Sequence, residues 1–150
     1  MDATTLDRLL AAAAKSGASD LHLKAGAQPA VRLSGVLTAV RTPALARDDM
    51  ERIVARLVSQ HLDAPQPAAI RELDTSYAVE GVARFRVAIY RSKGDLAAVL
   101  RVIPFRVPSF AELGLPPVVE RIAAEPRGLV LVTGITGSGK TSTLAAIVDW

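Results

Sequence analysis

Gly128-Leu-Val-Leu-Val-Thr-Gly-Ile-Thr-Gly-Ser-Gly-Lys-Thr141 joins a continuous apolar run to a glycine-rich loop. The run Gly128 to Thr133 lacks the polar alternation of a half-wet strand, so it predicts a strand buried on both faces, as in a parallel sheet. Gly134 to Thr141 fits G-x-x-x-x-G-K-[ST] in full. Beyond it, Leu144, Ile147 and Val148 share one face of a helix. Strand, loop and helix in this order are the context a phosphate loop requires.

The residue types suit that chemistry. A triphosphate carries dense negative charge, and successive backbone N–H groups at a helix N-terminus meet it. Glycines at 134, 137 and 139 let the backbone approach closely and adopt positive φ. Lys140 would reach the β- and γ-phosphates, and the Thr141 hydroxyl would ligate Mg²⁺. ATP and Mg²⁺ are therefore the expected cofactors. The expected binding residues are Gly134, Ile135, Thr136, Gly137, Ser138, Gly139, Lys140, Thr141 and Ser142. Lys140 and Thr141 are also expected to be catalytic, and Thr141 to be the metal ligand.

Nine residues follow Thr141. A parallel sheet needs a returning strand, and a P-loop hydrolase needs a Walker-B acid and a residue that orients water. Neither follows the loop, so the chain is expected to be the N-terminal part of a longer enzyme and catalytically incompetent by itself. Upstream, Pro117 to Ala124 predicts a short helix with proline in its first turn. Ser109-Phe-Ala-Glu112 fits a capping box, and the two prolines of Pro104 to Pro108 suit an extended linker.

Before that linker the pattern changes. A helix is expected from about Thr5 to Ser16, with Leu6, Leu9, Leu10, Ala13 and Ala14 on one face, Thr4 or Thr5 as cap and Gly17 past its end. Asp20 to Lys24 alternates as a half-buried strand, and Val31 to Leu37 reads as a hairpin turning at Ser34-Gly35. A second helix runs from about Asp48 to His61. Strands follow at Thr75 to Val79, Val82 to Tyr90 and Leu96 to Ile103, with turns at Glu80-Gly81 and Ser92 to Asp95. Hairpins pair antiparallel, so this part reads as α+β with one sheet.

Composition narrows the class. Hydrophobic residues make up 50%, charged residues 22% and aromatics 4% of the 150, a globular balance whose core must be aliphatic. No apolar run reaches the roughly 18 residues that span a bilayer. MDATTLDRLL carries acids where an export signal is basic, which makes the cytoplasm the expected location. Without cysteine there is no disulfide frame and no thiolate metal site. A net charge of +3 with few rings argues against a nucleic-acid platform. The local basic cluster is Arg84, Arg86, Arg91, Lys93, Arg101 and Arg106, against Asp95 alone.

Five strings occur in order along nearly the whole chain: Ala18-Ser-Asp-Leu-His-Leu23, Gly81-Val-Ala-Arg-Phe-Arg-Val87, Leu100-Arg-Val-Ile-Pro104, Glu112-Leu-Gly-Leu-Pro116 and Arg127-Gly-Leu-Val-Leu-Val-Thr-Gly134. Together they resemble the PilT-type pilus retraction ATPases of the secretion-ATPase superfamily. The resemblance implies an α+β, PAS-like N-terminal domain over residues 1–103 and a linker over 104–108. It implies the truncated start of an α/β RecA-like P-loop domain over 109–150. It further implies a cytoplasmic homohexamer at the inner face of the cytoplasmic membrane, peripheral to the membrane at most. Its partner would be a pilus inner-membrane platform protein rather than nucleic acid, and its ATP hydrolysis would drive retraction and twitching motility. A pilus-assembly or type II secretion ATPase is the alternative within the superfamily. A non-hydrolytic nucleotide-binding or interaction module is the alternative of another class.

In that family, arginines of the N-terminal domain reach nucleotide phosphates. Carried over, the resemblance points to Arg86 and Arg101, with Arg84 and Arg91 behind them. A guanidinium fork matches the oxygens over which a γ-phosphoryl transition state spreads its charge. Many relatives have arginine where this chain has Lys93, which could supply charge but no fork. Alternating arginines are equally what the wet face of an antiparallel strand presents. His22 is more often structural than a ligand at such a position. His61 suits a helix's last turn, and Phe85 and Tyr90 suit packing. Asp74 and Tyr77 fall in a segment the family shares, without an assignable chemistry.

Overall fold

A computed structural model of the chain describes residues 3–60, 63–135 and 137–150. The expectations for His61 and Thr136 lie outside the described residues. Two compact units make up the chain, Met1–Phe105 and Arg106–Trp150.

The first unit runs α1 (Ala3–Lys15), β1 (Asp20–Lys24), β2 (Ala30–Leu33), β3 (Val36–Ala39), α2 (Arg47–Val58), a 3₁₀ turn (Pro67–Ala69), β4 (Glu72–Val79), β5 (Ala83–Ser92) and β6 (Asp95–Ile103). The six strands pair antiparallel in the order β3-β2-β1-β6-β5-β4. Two tight hairpins have positive φ at both loop residues, Ser34 (48°) with Gly35 (84°) and Lys93 (55°) with Gly94 (88°). That is the turn whose twist matches the strands it joins.

The period-two pattern sorts the two faces. Phe85, Val87 and Ile89 of β5 turn inward with Leu21, Leu23, Ala98 and Leu100. They meet Leu6 and Leu10 of α1 and Met50, Ile53, Val54 and Leu57 of α2. Each such buried aliphatic contributes about 1.5–3 kcal/mol. Phe85 is therefore a packing group, whereas Tyr90 lies on the opposite face and is partly exposed. That opposite face carries Asp20, His22, Arg86, Ala88, Val99 and Arg101.

One polar contact ties the layers together. The Tyr77 hydroxyl donates to Asp7 Oδ1 at 2.7 Å, and Arg56 Nη2 donates to Asp7 Oδ2 at 3.4 Å. Through it, α1, α2 and β4 share one carboxylate. Tyr77, left without a role by sequence, is thus a structural pin.

Helix ends differ from expectation. α1 begins at Ala3, so Thr4 and Thr5 belong to its first turn instead of preceding it. Threonine's helical penalty is under about 0.7 kcal/mol, which a turn in good register carries. α2 starts at Arg47, where the Ala46 N–H donates to the Asp49 carboxylate at 2.9 Å, and ends at Val58, earlier than expected. Gly17, at φ 74°, follows the end of α1 as expected.

In the second unit, α3 covers Val118–Ala123 and α4 covers Lys140–Asp149. The Ser109–Glu112 capping box forms, with the Ser109 N–H donating to the carboxylate at 2.9 Å and the Glu112 N–H donating back to the hydroxyl at 3.3 Å. Turns follow it, and Gly114 (φ 63°) and Pro116-Pro117 delay the helix to Val118. The strand expected at Gly128 to Thr133 is not formed: the segment is irregular, and Leu129 is 84% exposed. A strand takes its hydrogen bonds from neighbours, and no described residue of this unit offers a strand to pair with. Leu144 and Val148 of α4 are exposed as well, while Ala146 and Phe110 are buried and Phe110 stacks on Trp150 at 5.2 Å. No helix among the described residues is long and apolar enough to cross a membrane.

Candidate functional site

Gly139 caps α4 with φ 89°, and the Thr143 N–H donates to its carbonyl at 2.9 Å. Gly134 and Gly137 also take positive φ, 152° and 81°. These angles admit glycine most readily, so the three loop glycines have conformational and not merely steric reasons. At Gly134 space is short too: an added Cβ would lie 2.6 Å from Ser138 Oγ. Lys140 Nζ turns back to donate to the Gly134 carbonyl at 2.8 Å and the Ile135 carbonyl at 2.7 Å. An ammonium has three donors, so this brace leaves one for an anion. Thr141 stands exposed in the first turn of α4. The donor set suits a polyphosphate with a divalent cation: an ammonium with a donor to spare, a hydroxyl at the start of α4, and a glycine at 134 where a Cβ would crowd Ser138.

The arginines belong to the first unit. Arg86 on β5 and Arg101 on β6 are direct cross-strand partners, and Asp20 and Arg32 continue the same line across β1 and β2. Arg101 Nε donates to Asp20 Oδ1 at 3.0 Å, and Arg86 Nη2 lies 3.7 Å from the Asp74 carboxylate. Three guanidinium groups against one buried carboxylate give this line a positive excess. Both Arg86 and Arg101 expose about two-thirds of their side chains.

The two lesser arginines are otherwise engaged. Arg91 donates to the carbonyls of Pro67, Ala68, Ile70 and Gly94, fastening the 3₁₀ turn to the β5–β6 hairpin. Its guanidinium is structural. Arg84 lies over the Phe105 ring at 5.9 Å. Lys93 occupies a left-handed turn position, so its role there is conformational. His22 Nε2 is shut from solvent without a hydrogen-bond partner, and no His, Cys, Asp and Glu cluster among the described residues could hold a metal ion.

Asp20 is the residue that motif reading missed. It stands in the Ser-Asp-Leu-His string, yet no local signal shows that it lies beside Arg101, 81 residues away. Burial pushes its carboxyl up, but hydrogen bonds from Ser19 and Arg101 and the Arg101 charge outweigh burial and hold it below the usual range.

The type IV pilus retractation ATPase PilT of Pseudomonas aeruginosa is 43% identical over 147 residues, covering 97% of this chain and 42% of that protein. A twitching motility protein of Neisseria gonorrhoeae is 37% identical over 122 residues, covering 81% and 32%. The crystal structure of the pilus retraction motor PilT with bound ADP matches with a TM-score of 0.77 at 37% identity, covering 96% of this chain and 42% of that one. The chain thus spans less than half the length of these relatives. A family model described as type II/IV secretion system protein matches residues 3–150, so the chain belongs to that family.

Proposed function

We propose that this chain is the N-terminal, ATP-binding part of a homohexameric motor ATPase that powers type IV pilus retraction and twitching motility. The observation that carries the reading is the Gly134–Thr141 loop, with left-handed glycines and Lys140 drawn over its opening, in a chain 43% identical to PilT. In this reading residues 1–103 form a PAS-like domain, 104–108 a linker, and 109–150 the opening of a RecA-like domain. The motor works in the cytoplasm at the inner face of the membrane, against a pilus platform protein. It acts on no nucleic acid.

Bound ATP with Mg²⁺ supplies a phosphoanhydride whose γ-phosphoryl group passes to water, giving ADP and phosphate. The loop residues Gly134 to Ser142 hold the phosphates through backbone N–H groups at the start of α4. Lys140 neutralises charge with its free donor, and Thr141 offers the hydroxyl that ligates the cation. Arg86 and Arg101 supply guanidinium charge at the transferring group. In this reading the 150 residues by themselves should hydrolyse ATP at no measurable rate, and ordinary enzyme rates from the isolated chain would overturn it.

Steady-state hydrolysis by the full-length protein tests this. Lys140→Ala should abolish turnover, and unchanged activity would overturn the reading. Cells carrying only Lys140→Ala should keep surface pili and lose twitching. Loss of the pili themselves would assign the protein to assembly.

A further inference from the structure

Asp20 is the one charged side chain buried among the described residues. It sits on the sheet face opposite α1 and α2, where carboxylates are ordinarily exposed and pair loosely. Here it is enclosed. Oδ1 accepts from Arg101 Nε at 3.0 Å, Oδ2 accepts from Ser19 Oγ at 2.8 Å, and Arg32 Nε lies 3.5 Å from Oδ2. β1 stands between β2 and β6, so this carboxylate is anchored in the middle of the sheet.

The bond to Arg101 uses Nε alone. Its two terminal nitrogens have no hydrogen-bond partner among the described residues, and 69% of the side chain is exposed. A guanidinium held at Nε keeps its fork intact, and a fork is what binds two phosphate oxygens at once. Arg86 is arranged differently: a terminal nitrogen faces Asp74, and that pair is exposed on both sides. Water screens the Arg86 pair far more than the Arg101 pair. Of two arginines in direct register, one is hydrogen-bonded at Nε to a buried carboxylate and the other faces an exposed one at 3.7 Å.

We propose that Asp20 is a positioning residue for Arg101, gripping Nε so that both terminal nitrogens are presented together to a pair of phosphate oxygens on the nucleotide. This rests on the reading above that Arg101 meets those phosphates. Fixing the fork before the anion arrives removes rotamers that binding would otherwise have to freeze. The same contacts would also be made by a carboxylate that merely staples β1, β2 and β6, so the test must separate the two.

The test is steady-state ATP hydrolysis by the full-length protein carrying Asp20→Asn, Arg101→Ala, or both, with melting temperature followed in each. Arg101→Ala should lower kcat at least about 100-fold. Asp20→Asn should lower it about 10- to 100-fold, with KM within about 3-fold of wild type. The double variant should be no slower than Arg101→Ala, because a positioning residue has nothing left to position. Wild-type kcat in Asp20→Asn beside a slow Arg101→Ala overturns the role of Asp20 and leaves Arg101 in place. Wild-type kcat in Arg101→Ala overturns both. Losses that multiply in the double variant mean that Asp20 acts through folding, and they overturn the proposal too. Should Asp20→Asn fail to fold, Ser19→Ala loosens the same carboxylate. It should lower kcat about 2- to 5-fold in the wild-type background and not at all beside Arg101→Ala; an equal loss in both backgrounds overturns the proposal.

Discussion

Arg86 and Arg101 face each other directly across the β5–β6 ladder. Like charges in that relation repel by roughly 0.2–1 kcal/mol. Each has a carboxylate beside it, Asp74 at 3.7 Å and Asp20 at 3.0 Å, and neither arginine fills a hydrophobic space. A pair that repels itself and still points at solvent suits an anion better than it suits stability.

Replacement of Arg86 should therefore separate stability from activity. Arg86→Ala loses an exposed pair worth about 0–1 kcal/mol and relieves a repulsion of similar size. Its unfolding free energy in urea should stay within about 0.5 kcal/mol of wild type. The full-length variant should still turn over ATP about 100-fold more slowly or worse. A stability loss above about 2 kcal/mol would make Arg86 a structural residue instead.

Acid should reveal the Asp20 contacts. The folded carboxyl is held below its unfolded value by Ser19 and Arg101 in spite of its burial. A depressed folded pKa contributes stability that is complete above the unfolded value, about 3.9, and is lost as pH falls through the lower folded one. Melting of the wild-type chain should fall more steeply than that of Asp20→Asn as pH drops below the unfolded carboxyl's value of about 3.9. Parallel curves would show that the carboxylate gains nothing from its neighbours.

Alkali should act on Tyr77 in the opposite sense. Burial, with the hydrogen bond to Asp7 and its charge, pushes the phenol up to about 12. A raised folded pKa contributes stability that is complete below the unfolded value, about 10, and is lost as pH rises through the folded one. Tyr77→Phe should lack this alkaline loss and should be about 1–2 kcal/mol less stable at neutral pH, since the pin between α1 and β4 is gone. Denaturant titrations at pH 7 and pH 11 check both statements. Equal pH sensitivity in the two proteins would remove Tyr77 as the cause.

These contacts mark what local sequence carries. The alternation in Ala83–Ser92, the Ser34-Gly35 and Lys93-Gly94 turns and the Gly134–Thr141 loop were legible, because each depends on residues within a few positions. The neighbours of Asp20 and Tyr77 were not. Asp20 meets Arg101 only because β1 inserts between β2 and β6, and Tyr77 meets Asp7 only because α1 packs over β4. Strand order brings those groups together, and no string of adjacent residues encodes it. Arg91 stood behind Arg86 and Arg101 among the arginines the resemblance pointed to, and the 3₁₀ turn at Pro67–Ala69, 23 and 24 residues upstream, takes its donors. The run Leu129–Thr133 failed in the other direction. Its composition is that of a buried strand, but a strand also needs partners, and the described part of the second unit has none.

Gly134 offers the sharpest test of the loop. Its φ of 152° is strained for any L side chain, and an added Cβ would lie 2.6 Å from Ser138 Oγ and 3.5 Å from Ser138 Cβ. The hydroxyl can rotate away; the backbone angle cannot be relieved without reshaping the loop that Lys140 braces. Gly134→Ala should therefore weaken binding of a fluorescent ATP analogue to the full-length protein by at least about tenfold, of order 1.4 kcal/mol. Adding Ser138→Ala should recover only part of that loss, since it removes the contact and leaves the strain. The Met1–Phe105 unit should melt as in wild type, because Gly134 belongs to the other unit. Wild-type affinity in Gly134→Ala would show that nucleotide is held elsewhere than on this loop. Full recovery in the double variant would show that the contact alone, and not the backbone angle, makes glycine necessary at position 134.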